Sequence, residues 1–227
     1  QHFLRHLAVE PQRAHVRERG QQGAPFAHQG LLLRGRQAGL GDAQRQALAA
    51  VVADIWLRQE RLPARSPNDV LVRTLYSGIS RGTEALIFRG EVPESEFERM
   101  RGPHMEGTFP FPIKYGYAAV GQIEAGPAEL VGKNVFALHP HQDRFILPVD
   151  QVTPLPDMLP PRRAVLAANM ETALNIVWDA GIQPGDRVAV FGAGVVGSLV
   201  AYLSSRIVGT ETEQVDLDTK RQGLAAD

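Results

Sequence analysis

The chain contains no cysteine. Disulfides, thiolate metal ligands and a cysteine nucleophile are therefore excluded. An excess of either charge is also missing: 24 Lys and Arg face 25 Asp and Glu, a formal net charge of −1. Nothing draws the whole chain toward nucleic acid or an anionic membrane surface. No apolar run approaches the roughly 20 residues of a membrane-spanning helix, and no stretch resembles a secretory signal. A cytoplasmic protein with neither a membrane nor a nucleic-acid partner is the expectation. What is present is apolar content, 44% of 227 residues, enough for one large domain or two small ones.

Charge is distributed unevenly. Residues 1–50 hold seven Arg, no Lys and three acids (Glu10, Glu18, Asp42), a local charge of +4 that leaves −5 for the remainder. Within this block, segment 1–44 shows neither helical periodicity nor strand alternation and is punctuated by glycines. Three readings fit it: a basic tail for an acidic partner, a disordered extension, or a frame-shifted translation of GC-rich DNA. The second is taken forward. Stretch 47–57 is ambiguous between a short helix and a poor strand.

From Asp69 the pattern improves. Asp69–Tyr76 alternates as a strand does, and Ser80-Arg81-Gly82-Thr83-Glu84 reads as a polar turn. Residues 92–109 are polar and marked by Pro and Gly, a loop with room for one helical turn. Tyr117–Glu124, Lys133–Leu138 and Arg144–Val149 are further strands, and such spacing suggests a small β-barrel-like domain. After Pro160-Pro161 the texture turns helical over Arg162–Met170 and Glu171–Ala180, and Gly181 is a stop signal.

Residues 187–218, RVAVFGAGVVGSLVAYLSSRIVGTETEQVDLD, carry the most chemistry. A β-branched strand runs into Gly192, Gly194 and Gly197 in G-x-G-x-x-G spacing, then into a helical stretch. An acid, Asp216, follows at the distance a dinucleotide-binding βαβ unit requires. Gly192 turns the chain out of the strand, Gly194 lets a pyrophosphate approach the backbone, and Gly197 lets the helix pack on the sheet. The helix start, with Val195 and Val196, presents free N–H groups to phosphate. Asp216 suits ribose hydroxyls and favours NAD, while Lys220 and Arg221 leave NADP possible. The second strand, Glu211–Val215, is polar for a buried parallel strand.

This order of elements resembles the medium-chain dehydrogenase/reductase superfamily. The resemblance runs over about 45–227, through VLVRTLYSGISRGTEALIFRGEVP, KYGYAAVGQIEAG, HPHQDRFILP, NMETALNIVWDAGIQPGDRVAVFGAGVVG and VDLD. It is nearest to the zinc-type alcohol dehydrogenase-like branch that includes bacteriochlorophyllide dehydrogenase-like proteins. It implies an α/β protein with a GroES-like β-barrel catalytic domain (45–160), followed from 161 by a hinge helix and the first βαβ unit of a Rossmann fold.

The resemblance also implies where zinc would sit in zinc-using members. Ser80 stands for a cysteine ligand, Tyr117 for a histidine and Ala167 or its neighbours for the third, and none is a competent zinc donor. A zinc-independent NAD(P)-dependent oxidoreductase of small-molecule substrates follows, exchanging hydride with an alcohol, a carbonyl or an activated double bond. Ser80, Thr83, Tyr117 and Glu171 are the catalytic candidates. Gly192, Gly194, Val195, Val196, Gly197, Asp216 and Arg221 are the cofactor candidates. A homodimer is implied for the full-length family member.

Two alternatives remain open at this stage. Only two strands of the dinucleotide fold precede Asp227, so the chain is also readable as a non-catalytic, truncated part of such an enzyme. His139, His141 and Asp143 form an H-x-H-x-D run that a metallohydrolase would use, although Arg144 stands where a further His is expected. The aromatics of 108–117 (Phe109, Phe111, Tyr115, Tyr117) fit either a planar substrate or core packing.

Overall fold

The computed structural model describes residues 27–35 and 53–224. They fall into two compact units, one ending at Val165 and the other opening at Leu166.

The first unit holds two antiparallel sheets. Strands β1 (Ala27–Gly35), β2 (Ala53–Arg61), β4 (Glu106–Gly107) and β5 (Ile113–Lys114) form one, in the order β2-β1-β5-β4. Strands β3 (Asp69–Ser77), β6 (Ala119–Ala125), β7 (Asn134–Ala137), β8 (Arg144–Pro148) and β9 (Thr153–Pro154) form the other, in the order β8-β3-β6-β7-β9. Inward positions alternate, as a half-buried sheet demands: Val70 and Val72 on β3, Val135 and Ala137 on β7, Phe145 and Leu147 on β8. With Ala119, Ile123 and Val152 they make one buried core. A second core gathers Ile87, Val92, Met105, Phe109, Ile113 and Tyr115, with Phe111 and Tyr117 packed against it. The aromatics of 108–117 are thus core residues of this unit.

Three sequence expectations change here. Strand β1 lies inside segment 1–44, where no ordered element is expected; it pairs in register with all nine residues of β2, from Ala27 with Arg61 to Gly35 with Ala53. Its sequence, AHQGLLLRG, sets three leucines in a row, so it leaves no alternating trace. The rest of 1–44 lies outside the described residues, as do 47–52 of the ambiguous stretch, whose remainder enters β2. The polar turn at Ser80–Glu84 is instead the start of helix α1 (Arg81–Phe88), with Ser80 at its N-cap position. The helix packs through Ile87 alone as a fully buried residue, too narrow a face to give periodicity.

Helix α2 (Pro161–Ala164) closes the first unit. The second unit begins with α3 (Ala167–Asp179) and continues through β10 (Arg187–Phe191), α4 (Val195–Ser204) and β11 (Glu211–Val215). Strands β10 and β11 run parallel in a two-stranded sheet, Arg187 beside Glu211 through Phe191 beside Val215. Their core is helix-borne: Ala173 and Val177 of α3 meet Leu199 and Val200 of α4. Parallel neighbours need a crossover between them, and α4 supplies it, so the β-α-β unit expected from the glycine pattern organises this part of the chain.

Candidate functional site

The glycine turn of the second unit follows from its sequence. Gly192 has φ of 103°, a left-handed conformation that disfavours any side chain. A Cβ on Gly197 would run into the Gly192 carbonyl oxygen, so only glycine lets α4 close onto the turn. Gly194 differs: nothing lies within 4 Å of the position its Cβ would take. That open space lies at the start of α4, whose cap residue Gly194 supplies no capping side chain. The Val195 and Val196 side chains pack into the helix core, and the backbone N–H groups of the first turn have no partner within the helix. Free donors, a helix dipole and room for an anion coincide, so the residues fit the pyrophosphate of a dinucleotide.

Asp216 stands directly after β11. Its Oδ2 accepts from the Ala193 N–H at 2.6 Å and from Arg221 Nη1 at 3.0 Å; its Oδ1 accepts from the Asp218 N–H at 2.7 Å. The Ala193 and Asp218 amides, together with the Arg221 guanidinium, hold its carboxyl below the usual carboxylate range. An ionised acceptor therefore faces the glycine turn. Arg221 also reaches Asp218, at 3.5 Å.

In the first unit, the loop before β8 is fastened beside the end of β3. Thr74 donates its N–H to the Asp143 carbonyl at 2.8 Å and its hydroxyl to that of Gln142 at 2.5 Å. The His141 N–H donates to the Tyr115 carbonyl at 3.1 Å. Gly116, with φ of 130°, is what allows this approach, since a Cβ there would come within 2.9 Å of the His141 nitrogen and 3.0 Å of its ring. The ring then sits between two side chains. Glu84 Oε2 lies 2.7 Å from Nε2, and Ser77 Oγ lies 2.5 Å from Nδ1. The other Glu84 oxygen accepts from the Ser80 N–H at 2.7 Å.

Of the sequence candidates, Ser80 and Thr83 open α1, and Ser80 contributes its backbone to this network. Tyr117 is half-buried edge-on to Tyr115, with ring centroids 6.3 Å apart. Burial, with the nearby Tyr117 and Glu84, pushes the Tyr115 phenol up to about 12, and its hydroxyl donates to the Met100 carbonyl. Glu171 belongs to the second unit, exposed on α3, where its carboxylate accepts from Asn175 at 2.9 Å. The H-x-H-x-D run does not converge. His139 is buried against Phe145, ring centroids 4.0 Å apart, while His141 points to Glu84 and Ser77. Among the described residues no three His, Asp or Glu side chains come together as a metal site. Sequence reasoning did not single out Ser77 or Glu84, and it grouped His141 with His139 and Asp143, whereas the structure sets its ring against Ser77 and Glu84. No spacing rule joins positions 77, 84 and 141: Ser77 ends β3, Glu84 lies on α1, and His141 lies in the loop that Thr74 and the Tyr115 carbonyl hold in place.

A GroES-like β-domain and the opening βαβ unit of a Rossmann fold are the class this architecture defines. No protein-family model matches the chain. D-xylulose reductase A of Aspergillus niger is 33% identical over 112 residues, covering 45% of this chain and 31% of that protein. "Probable D-xylulose reductase A" of Aspergillus fumigatus is 32% identical over 192 residues, covering 71% of this chain and 53% of that protein. Among solved structures, alcohol dehydrogenase TADH from Thermus sp. ATN1 superposes with a TM-score of 0.58 at 22% identity, covering 75% of this chain and 58% of that one. The quinone oxidoreductase of Thermus thermophilus, solved also with NADPH, gives 0.55 at 21%, covering 74% and 52%. The chain belongs to the medium-chain dehydrogenase/reductase superfamily, and it spans about half the length of the curated relatives it matches.

Proposed function

We propose that this chain carries the cofactor turn and the β-domain of a zinc-independent NAD(P)-dependent oxidoreductase acting on a small hydroxyl or carbonyl compound. The observation that carries the reading is the glycine turn: a tight Gly192–Gly197 contact beside open space at Gly194, with an ionised Asp216 facing it. The names of the relatives, D-xylulose reductase and alcohol dehydrogenase, support the substrate class.

The nicotinamide, when bound, supplies the hydride chemistry. The chain's own residues do the rest. The N–H groups opening α4 hold the pyrophosphate, and Asp216 accepts from a ribose hydroxyl. Asp216 favours NAD over NADP, while Arg221, already paired with Asp216, lowers the cost of a 2′-phosphate. Zinc independence rests on donor chemistry. Ser80 and Tyr117 replace thiolate and imidazole, and His141 with Glu84, an imidazole–carboxylate pair in the same unit, falls short of the three protein ligands catalytic zinc uses.

The test is turnover with D-xylulose, followed by loss of reduced-nicotinamide absorbance, with NADH and NADPH in parallel and with EDTA present. Oxidation of NADH in preference to NADPH, unaffected by EDTA, is expected. A rate abolished by EDTA and restored by Zn²⁺ would overturn zinc independence, and a strong NADPH preference would overturn the role given to Asp216.

A further inference from the structure

We propose that Ser77, His141 and Glu84 form the proton-transfer chain of this β-domain, with Ser77 Oγ as the end that meets the substrate oxygen. The inference rests on the oxidoreductase reading above and names the acid–base machinery for it. Three observations carry it. Ser77 is exposed at the end of β3, whereas the side chains of His141 and Glu84 are only 11% and 14% exposed. The two hydrogen bonds, 2.5 Å and 2.7 Å, use both ring nitrogens. Gly116, with no Cβ, leaves room for the His141 backbone nitrogen and ring, which a Cβ would meet at 2.9 Å and 3.0 Å.

The direction of the chain follows from the donors. Glu84 is an acceptor when ionised, so Nε2 carries the ring proton, and in the neutral imidazole Nδ1 is then an acceptor. The Ser77 hydroxyl donates to it. This is the arrangement of a hydroxyl, its base and the group that orients the base. The Ser80 N–H fixes the second Glu84 oxygen, so the carboxylate is held at both atoms.

In alcohol oxidation a bound nicotinamide would supply the hydride acceptor, and these three residues would handle the proton. The substrate hydroxyl proton passes to Ser77 Oγ as the Ser77 proton passes to His141 Nδ1, leaving an imidazolium paired with Glu84. Carbonyl reduction runs the same transfers backward. Ser77 is the catalytic residue, since it touches the substrate; His141 and Glu84 act through it. The chain thereby performs the proton handling that Tyr117 is expected to perform from sequence.

The test reads the basicity imposed on Ser77 without needing the physiological substrate. Diisopropyl fluorophosphate is offered to the chain: the Ser77 oxygen–phosphorus bond forms, phosphorus–fluorine breaks, the proton goes to His141 and fluoride leaves. Labelling at Ser77, located by peptide mass, is expected, with the rate falling at least about 100-fold in His141→Gln and about 10-fold in Glu84→Gln, in line with the large losses seen when a serine's base is removed. Glu84→Gln keeps the side chain's shape and carries the test if His141→Gln does not fold. Nitrogen-15 spectra of wild-type His141 are expected to show a proton on Nε2 and an acceptor at Nδ1. An unlabelled Ser77, labelling unchanged in Glu84→Gln, or the opposite tautomer overturns the proposal. NADH titration of the wild-type chain keeps the two readings apart: binding with no Ser77 labelling sinks the proton chain alone, and labelling with no binding sinks the oxidoreductase reading.

Discussion

At the scale of the residue, the glycines make the most demanding statements. A Gly197→Ala chain has to move the Gly192 carbonyl, which stands where the new methyl would go. Overpacking of this kind costs about 1–3 kcal/mol, and a urea melt followed by a tryptophan signal from Trp178, on the neighbouring α3, is the check. His139 makes a separate prediction. Burial holds its pKa down to about 4, against 6.5 for a free histidine. Between those values the unfolded chain binds the proton and the folded chain does not, so stability rises with pH. The contribution, about 3 kcal/mol at one pKa unit per 1.36 kcal/mol, is complete above pH 6.5 and is lost as pH falls toward 4. His139→Phe is expected to flatten urea midpoints between about pH 7 and pH 5, inside that window; an unchanged slope contradicts the assignment. Asp216 and the glycine triplet are legible in sequence because the chemistry is local, a turn and an acid at fixed spacing. Ser77, Glu84 and His141 are not, because they come from a strand end, a helix and a loop that meet only in the folded unit.

At the scale of the element, pattern and environment agree wherever one face is buried. The strands β3, β6, β7 and β8 lie within two residues of the positions predicted from sequence; β3, β7 and β8 set side chains alternately into a core, and β6 begins with three buried residues in a row. Helix α1 is invisible for the opposite reason: its first turn, Arg81-Gly82-Thr83-Glu84, is polar and serves the Glu84 contacts. The polar character of Glu211–Val215 is borne by an exposed strand. Both β10 and β11 alternate between exposed and half-buried residues with none fully buried, and Phe191 is 81% exposed. Local stability follows buried contact. Amide hydrogen exchange in β10 and β11 is therefore expected to be at least about tenfold faster than in β3 and β6, where Val70, Val72 and Val120 are fully buried. Equal protection in the two sheets would mean that something covers β10 and β11 in solution.

At the scale of the molecule, the two units carry two kinds of work. The first holds two antiparallel sheets, two cores and a hydrogen-bonded Ser–His–Glu line; the second holds the glycine turn proposed to bind the dinucleotide. The superfamily is readable from sequence because the GAGVVG turn and the β-domain segments are contiguous motifs, and the fold class follows from their order. Substrate identity is not, since no contiguous motif of the β-domain encodes it. Even the aromatic run at 109–117, which reads equally as a substrate platform, is spent on the second core.

The proposed function stands on Gly192–Gly197 and Asp216 holding a nicotinamide dinucleotide. Calorimetric titration of the chain with NADH, beside a Gly194→Glu variant, tests it most directly. Glutamate there would fill the open space and set a negative charge where the pyrophosphate belongs. Saturable binding to the wild-type chain is expected, with at least about a tenfold loss in the variant, about 1.4 kcal/mol. No saturable binding to the wild type, or equal affinity in both, would contradict it.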